Sequence, residues 1–134
     1  SPEVRKRIRE LLATARRDKS GDAWTAAGRA MLDEAQRPAR AAAIAWRAHR
    51  AGPTSEAPVA LLRDAWLAAN SPRRLERALW KVLEATRNEP DDAPSRQSAR
   101  RFLIELYEGA LHAPAKAEEL RRAQPATRPA PSER

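Results

Sequence analysis

The stretch Ala57 to Asn70, APVALLRDAWLAAN, limits what this chain can fold into more than any other, because it carries only one Arg and one Asp in fourteen residues. On a helix, Val59, Leu62, Ala65, Trp66 and Ala69 share one face. Ala60, Leu61 and Leu67 widen the apolar surface beyond a single stripe, so a helix here must be covered on more than one side. It reads as the central element of a helical stack, with Pro58 in its first turn and Asn70-Ser71-Pro72 as its stop.

The neighbouring segments supply the cover. Pro2 to about Arg17 predicts a helix with Val4, Ile8, Leu11, Leu12 and Ala15 on one face and Arg and Lys on the other; Ser1 caps it and Asp18-Lys19-Ser20-Gly21 breaks it. A second helix, about Asp22 to Gln36, buries Trp24, Ala27, Gly28, Met31 and Ala35. Gly28 inside it costs about 1 kcal/mol relative to Ala, which predicts close approach of a neighbouring helix. Pro38 opens a third helix that ends at Gly52-Pro53 and presents a small-residue face of Ala41, Ile44, Ala45 and Ala48. Pro72 opens a fifth, to about Arg87, with Leu75, Ala78, Leu79, Val82 and Thr86 inward. A sixth, after Asp91-Asp92-Ala93-Pro94-Ser95 and to about Leu111, faces inward with Ala99, Phe102, Leu103, Leu106 and Tyr107. Residues 1–111 are thus read as one all-α domain of antiparallel helix hairpins, six or seven helices in all. Residues 112–134 are a Pro, Ala and Arg-rich segment with one short helix at 114–124 and then a disordered tail.

Composition narrows the function classes. At 134 residues the chain is one domain's worth. With no Cys there is no disulfide, thiolate metal site or thiol nucleophile, and His49 and His112 stand far apart with no carboxylates arranged around them. No apolar run reaches the about eighteen residues of a spanning helix. The chain opens on Ser1-Pro2 with no Met, which leaves a removed signal or a longer parent open. The formal charge is +8, but 22 of the 26 basic residues are Arg in a chain also rich in Ala and Pro, a bias a GC-rich genome yields unselected. Distribution says more: segments 1–20 and 37–53 are each +4 net, while 21–36 is −2.

Laying Gly21–Pro53 over Ser55–Arg87 at an offset of 34 pairs Arg29 with Arg63, Pro38 with Pro72, Arg40 with Arg74, Trp46 with Trp80 and Arg47 with Lys81. A helix pair of about 34 residues is the period of the tetratricopeptide repeat, which the chain resembles over residues 21–90. Trp24, Ala27, Gly28 and Met31 stand at the spacing of that family's W-x2-L-G-x2-Y pattern. One extra residue in the turn then lets Ala41, Ala45, Ala48 and Pro53 match its A-x3-F-x2-A and closing Pro. In the second pair Val59, Leu62 and Trp66 take the first set of positions. Matching Ala78, Val82, Ala85 and Pro90 to the second half takes three extra residues, whereas pairing Trp46 with Trp80 takes none, so the two framings conflict through helix five. The resemblance implies a solenoid of hairpins; an irregular bundle of the same helices stays open. It also implies a peptide groove along the first helix of each pair, at Thr25, Arg29, Asp33, Ala60, Asp64 and Leu67, a mixed lining in which Arg63 and Asp64 form a surface ion pair worth under about 1 kcal/mol.

A second candidate face is basic and aromatic. Arg40, Arg47 and Arg50 lie on one flank of the third helix with no acid in the segment, and Trp46 and Trp80 stand off the main apolar faces. Packing of both indoles as a second core face is the plainer reading; the sharper alternative sets Trp46 with Arg47 and Arg50, and Trp80 with Arg77, as hot-spot contacts for a partner. The basic cluster Arg5, Lys6, Arg7 and Arg9 could extend this face. No phosphate-cradling Gly loop occurs, and Asp33-Glu34, Asp91-Asp92 and Glu118-Glu119 are adjacent carboxylates outside any apolar setting, so neither catalysis nor a cofactor or metal is expected. The expected function is a non-enzymatic module, cytoplasmic in location, that recognises a partner protein segment. The alternative is a small basic subunit holding nucleic-acid backbone, and self-association through Trp46 and Trp80 is compatible with either.

Overall fold

The computed structural model describes residues 1–123, and all regular structure in them is helical. Seven helices follow one another: α1 (Pro2–Asp18), α2 (Gly21–Asp33), α3 (Pro38–Ala51), α4 (Glu56–Ala68), α5 (Pro72–Ala85), α6 (Pro94–Glu108) and α7 (Pro114–Ala123). The expectation of a disordered tail from Pro125 onward lies outside the described residues. Prolines open α1, α3, α5, α6 and α7, where a missing backbone N–H costs nothing and the fixed φ is already helical. Ser1 and Ser20 cap α1 and α2 by accepting from the amides of Val4 (3.2 Å) and Ala23 (3.0 Å).

Each helix packs on the next, and in addition α2 lies close to α4 and α4 to α6, whereas the backbones of α3 and α5, and of α5 and α7, do not approach each other. The helices therefore form two layers: α2, α4 and α6 are closely spaced in one, and α3, α5 and α7 stand wider apart in the other. The helix α4 contacts α2, α3, α5 and α6, the many-sided cover its sequence demands. Val59, Leu61, Leu62 and Ala65 are buried, while Trp66 is half-buried and Leu67 is exposed.

Close approach at Gly28 is the contact that sets the spacing of the layers. A Cβ built there would stand 2.4 Å from Leu61 Cδ2 on α4 and 3.2 Å from Ile44 Cγ2 on α3. The backbone of α2 thus fills the space where these two side chains meet.

The turns joining α2 to α3, α4 to α5 and α6 to α7 share one construction. In each a non-glycine residue in the left-handed region, Gln36 (φ 54), Asn70 (φ 55) or His112 (φ 47), stands two residues before the proline that opens the next helix. Asn70 makes the two backbone bonds of a Schellman cap, its amide to Leu67 (2.9 Å) and that of Ser71 to Trp66 (2.9 Å). At the ends of α2 and α6 the bonds are wider and equivalent to each other: Ala35 to Ala30 and Arg37 to Met31, then Leu111 to Leu106 and Ala113 to Tyr107.

The longer connection from α5 to α6 is held by polar ties. Buried Arg96 donates to the Leu83 carbonyl (2.8 Å) and to Thr86 Oγ1 (3.0 Å), putting a cation at the carbonyl end of α5. Ser95 donates its amide to Thr54 O (2.9 Å) and its hydroxyl to Pro53 O, seating the start of α6 on the turn between α3 and α4.

Replacing Gly28 by Ala trades about 1 kcal/mol of helix propensity against overpacking that costs about 1–3 kcal/mol. We expect Gly28→Ala to lower stability in urea denaturation by up to about 2 kcal/mol, and to become neutral or stabilising in a Leu61→Ala background. Equal destabilisation in both backgrounds would contradict the contact.

Candidate functional site

The first candidate surface is the outward side of the α2, α4, α6 layer. Asp64 on α4 accepts from Arg29 Nη1 on α2 (2.7 Å) and from its neighbour Arg63 Nε (3.0 Å). The Arg63 guanidinium in turn lies 4.1 Å from the centre of the Phe102 ring on α6, and Arg101 approaches the same ring at 5.1 Å while pairing with Glu56 (3.5 Å). A string Arg29, Asp64, Arg63, Phe102 thus crosses all three helices. The ionic members remain about a third exposed, so each pair contributes no more than about 1 kcal/mol. Of the other groove residues, Thr25 turns its hydroxyl back to the Gly21 carbonyl (2.7 Å), Ala60 is half-buried, Asp33 is exposed, and Leu67 is 47% exposed at the end of α4. Phe102 and Arg101 had no signal as groove residues in the sequence, because only the contact of α6 with α4 brings them alongside Arg63.

The second candidate surface runs along α3 and α5. Arg40, Arg47, Arg50, Arg74, Arg77 and Lys81 are exposed and make no ion pair among the described residues, whereas Arg73 pairs with Glu76 (3.1 Å). The aromatic partners differ from those of the sharper alternative. Arg47 lies over Trp24 at 5.2 Å, not beside Trp46, since consecutive residues on a helix diverge. Trp46, half-buried, carries Lys81 from α5 over its ring at 4.5 Å and stands 5.1 Å from the His49 ring. Trp80 does not pair with Arg77; its indole N–H donates to Tyr107 Oη on α6 (2.9 Å), which turns the ring away from its helical neighbour. Arg74 completes the series over Trp66 at 5.3 Å.

A third feature was not visible in the sequence. Between α5, α6 and α7 opens a cleft of about 480 Å³ lined by Glu76, Trp80, Tyr107, Lys116, Glu119, Leu120 and Ala123. Tyr107 Oη accepts from Trp80 and donates to Glu76 Oε2 (2.6 Å). That hydrogen bond, together with Arg73, holds the Glu76 carboxyl below its ordinary range, while burial and then the neighbouring carboxylate push the Tyr107 phenol up. Nothing in the periodicity links Glu76 to Tyr107, 31 positions away.

His49 is 2% exposed and its Nδ1 has no hydrogen-bond partner, so burial lowers its pKa below the ordinary value of 6.5. The folded chain holds it neutral, and the unfolded chain takes up a proton below about pH 6.5. Stability contributed by this site is therefore complete above that pH and falls on acidification, by at most about 1.4 kcal/mol per pH unit. Thermal melts from pH 7.5 to 5.5 should show a steeper loss in the wild type than in His49→Leu; parallel slopes would contradict a neutral buried imidazole.

Among the described residues no three or more His, Asp or Glu side chains gather as a metal ion would need, and no helix is long and apolar enough to cross a membrane. No protein-family model, curated protein or solved structure matches the chain.

Proposed function

We propose that the chain is a tetratricopeptide-like hairpin stack, a non-enzymatic module that binds a protein segment along the α2, α4, α6 layer. The observation that carries this reading is the spacing of the layers: the backbones of the first helices of successive pairs lie close, while those of the second helices stand farther apart and α3 and α5 meet through the Lys81 side chain on the Trp46 ring, which curves a stack with the first helices on its inner side. Support for a repeat comes from lengths and turns. The helices α2 and α4 have 13 residues each, α3 and α5 have 14 each, and the three left-handed-residue-to-proline turns recur. The boundaries of α3 and α5 keep the offset of 34 that pairs Pro38 with Pro72 and Trp46 with Trp80, whereas those of α2 and α4 stand 35 apart. On the inner side the ring-stacked and ion-paired Arg63, with Arg29 and Arg101, offers guanidinium groups to a segment with acidic or carbonyl acceptors, and exposed Leu67 offers an apolar contact.

A second reading rests on the unpaired cations of α3 and α5: this side holds nucleic-acid backbone, with binding that falls steeply with salt. The two readings separate by photo-crosslinking. A photoreactive residue at position 67 or at position 47, used in an extract of the source cells, should yield a protein adduct from 67 and not from 47. An adduct from 47 alone, together with oligonucleotide binding at about 50 mM salt that is lost at about 200 mM and in Arg40→Glu, Arg47→Glu, would overturn the first reading in favour of the second.

A further inference from the structure

Three of the four tryptophans already carry a cation of their own chain on the ring: Arg47 on Trp24, Lys81 on Trp46 and Arg74 on Trp66. Trp80 carries none among the described residues, and at 43% it is exposed to an extent unusual for an indole. Its N–H is already occupied by Tyr107, so what it offers is a fixed, open π face at the wall of the cleft between α5, α6 and α7.

The carboxylates of the same cleft are unequal. Glu76 is engaged by Tyr107 and Arg73, whereas Glu119 makes no ion pair among the described residues. Lys116 completes the lining, its ammonium 5.6 Å from the centre of the Tyr107 ring. With Glu76 paired to Arg73, Glu119 is the carboxylate of this lining that makes no ion pair among the described residues, and one cation of the chain already sits on an aromatic wall of it. A volume of about 480 Å³ lies within the range of small-ligand sites.

We propose that this cleft binds a guanidinium group, the arginine side chain of a protein segment, stacked on Trp80 and paired with Glu119. Guanidinium suits both walls: it is planar and weakly hydrated, stacks on aromatic faces, and meets a carboxylate with two parallel N–H donors. Lys116, seated on the Tyr107 ring of the same lining, is then a like charge that opposes the incoming cation. Repulsion by the basic side of α3 and α5 is limited by screening, since the Debye length is about 8 Å at physiological salt. The site lies apart from the α2, α4, α6 surface and stands or falls separately from the function proposed for that surface.

The test is a titration of the full ¹⁵N-labelled chain with acetyl-arginine-amide, acetyl-citrulline-amide as the neutral isostere, and acetyl-glutamate-amide. The four indole N–H signals are followed, with that of Trp80 assigned from Trp80→Phe. We expect a saturable shift of the Trp80 signal with the arginine probe, a Kd of about 1–10 mM, and no saturable shift with the other two. Glu119→Gln should weaken binding about three- to tenfold and Lys116→Ala should tighten it about two- to fivefold, by removing a like charge from the lining. Both positions are exposed, so the variants should fold as the parent does, checked by their helical circular dichroism. A citrulline response equal to that of arginine, an unmoved Trp80 signal, or weaker binding in Lys116→Ala would overturn the proposal.

Discussion

The stack depends on the place where Leu61 of α4 and Ile44 of α3 meet the bare backbone of α2 at Gly28. Without a Cβ at that point the three helices approach closely enough for Ala27, Ala41, Ala45, Ala48 and Ala65 to be fully buried, small side chains that would leave voids between more widely spaced helices. The charge string on the α2, α4, α6 side follows from the same approach, since Arg29 reaches Asp64 only because α2 lies directly against α4. Packing at the centre thus fixes the chemistry at the surface.

Away from that centre the stack relies on local devices. Proline at the first helical position and a left-handed residue two positions earlier set each hairpin turn through backbone geometry, leaving side chains at the turn free to be polar. The α5 to α6 connection, which is longer, instead uses a buried Arg96 against the last carbonyls of α5 and Ser95 against the α3 to α4 turn. A cation at a helix C-terminus donates to acceptors that would otherwise be orphaned, and the two bonds from Arg96 Nη1 compensate its burial in part, Nε being left without a partner. Aromatic rings act similarly at the surface: Trp24, Trp46 and Trp66 each shield one long basic side chain, which keeps much apolar area covered while the charges remain in water.

Much of this was legible in the sequence, for definite reasons. All-α content followed from the 3.6-residue spacing of Ala and Leu and the prolines that punctuate it; the need for close approach at Gly28 followed from the cost of glycine inside a helix. Burial of Leu75, Leu79 and Val82 and of Phe102, Leu103 and Leu106 followed from the same periodicity. The candidate surfaces were only partly legible. Exposure of Arg40, Arg47, Arg50 and Arg77 could be read from their helical face, but their aromatic partners could not, because a cation–π contact between helices depends on their relative rotation. Trp80 is the sharpest case: its partner Tyr107 comes from a helix that periodicity identifies but cannot orient. Phe102 was assigned to the core correctly, yet its role in holding Arg63 needed the third dimension.

Taken together, α4 is the element on which the layers converge, while α1 and α7 each pack on a single neighbour. Native-state hydrogen exchange tests this most directly, because amides in a stack open by fraying from its ends inward. Protection should rise from α1 and α7 toward α4, whose slowest amides should exchange only through global unfolding. Exchange in α4 as fast as in α1 or α7 would contradict a stack built around it.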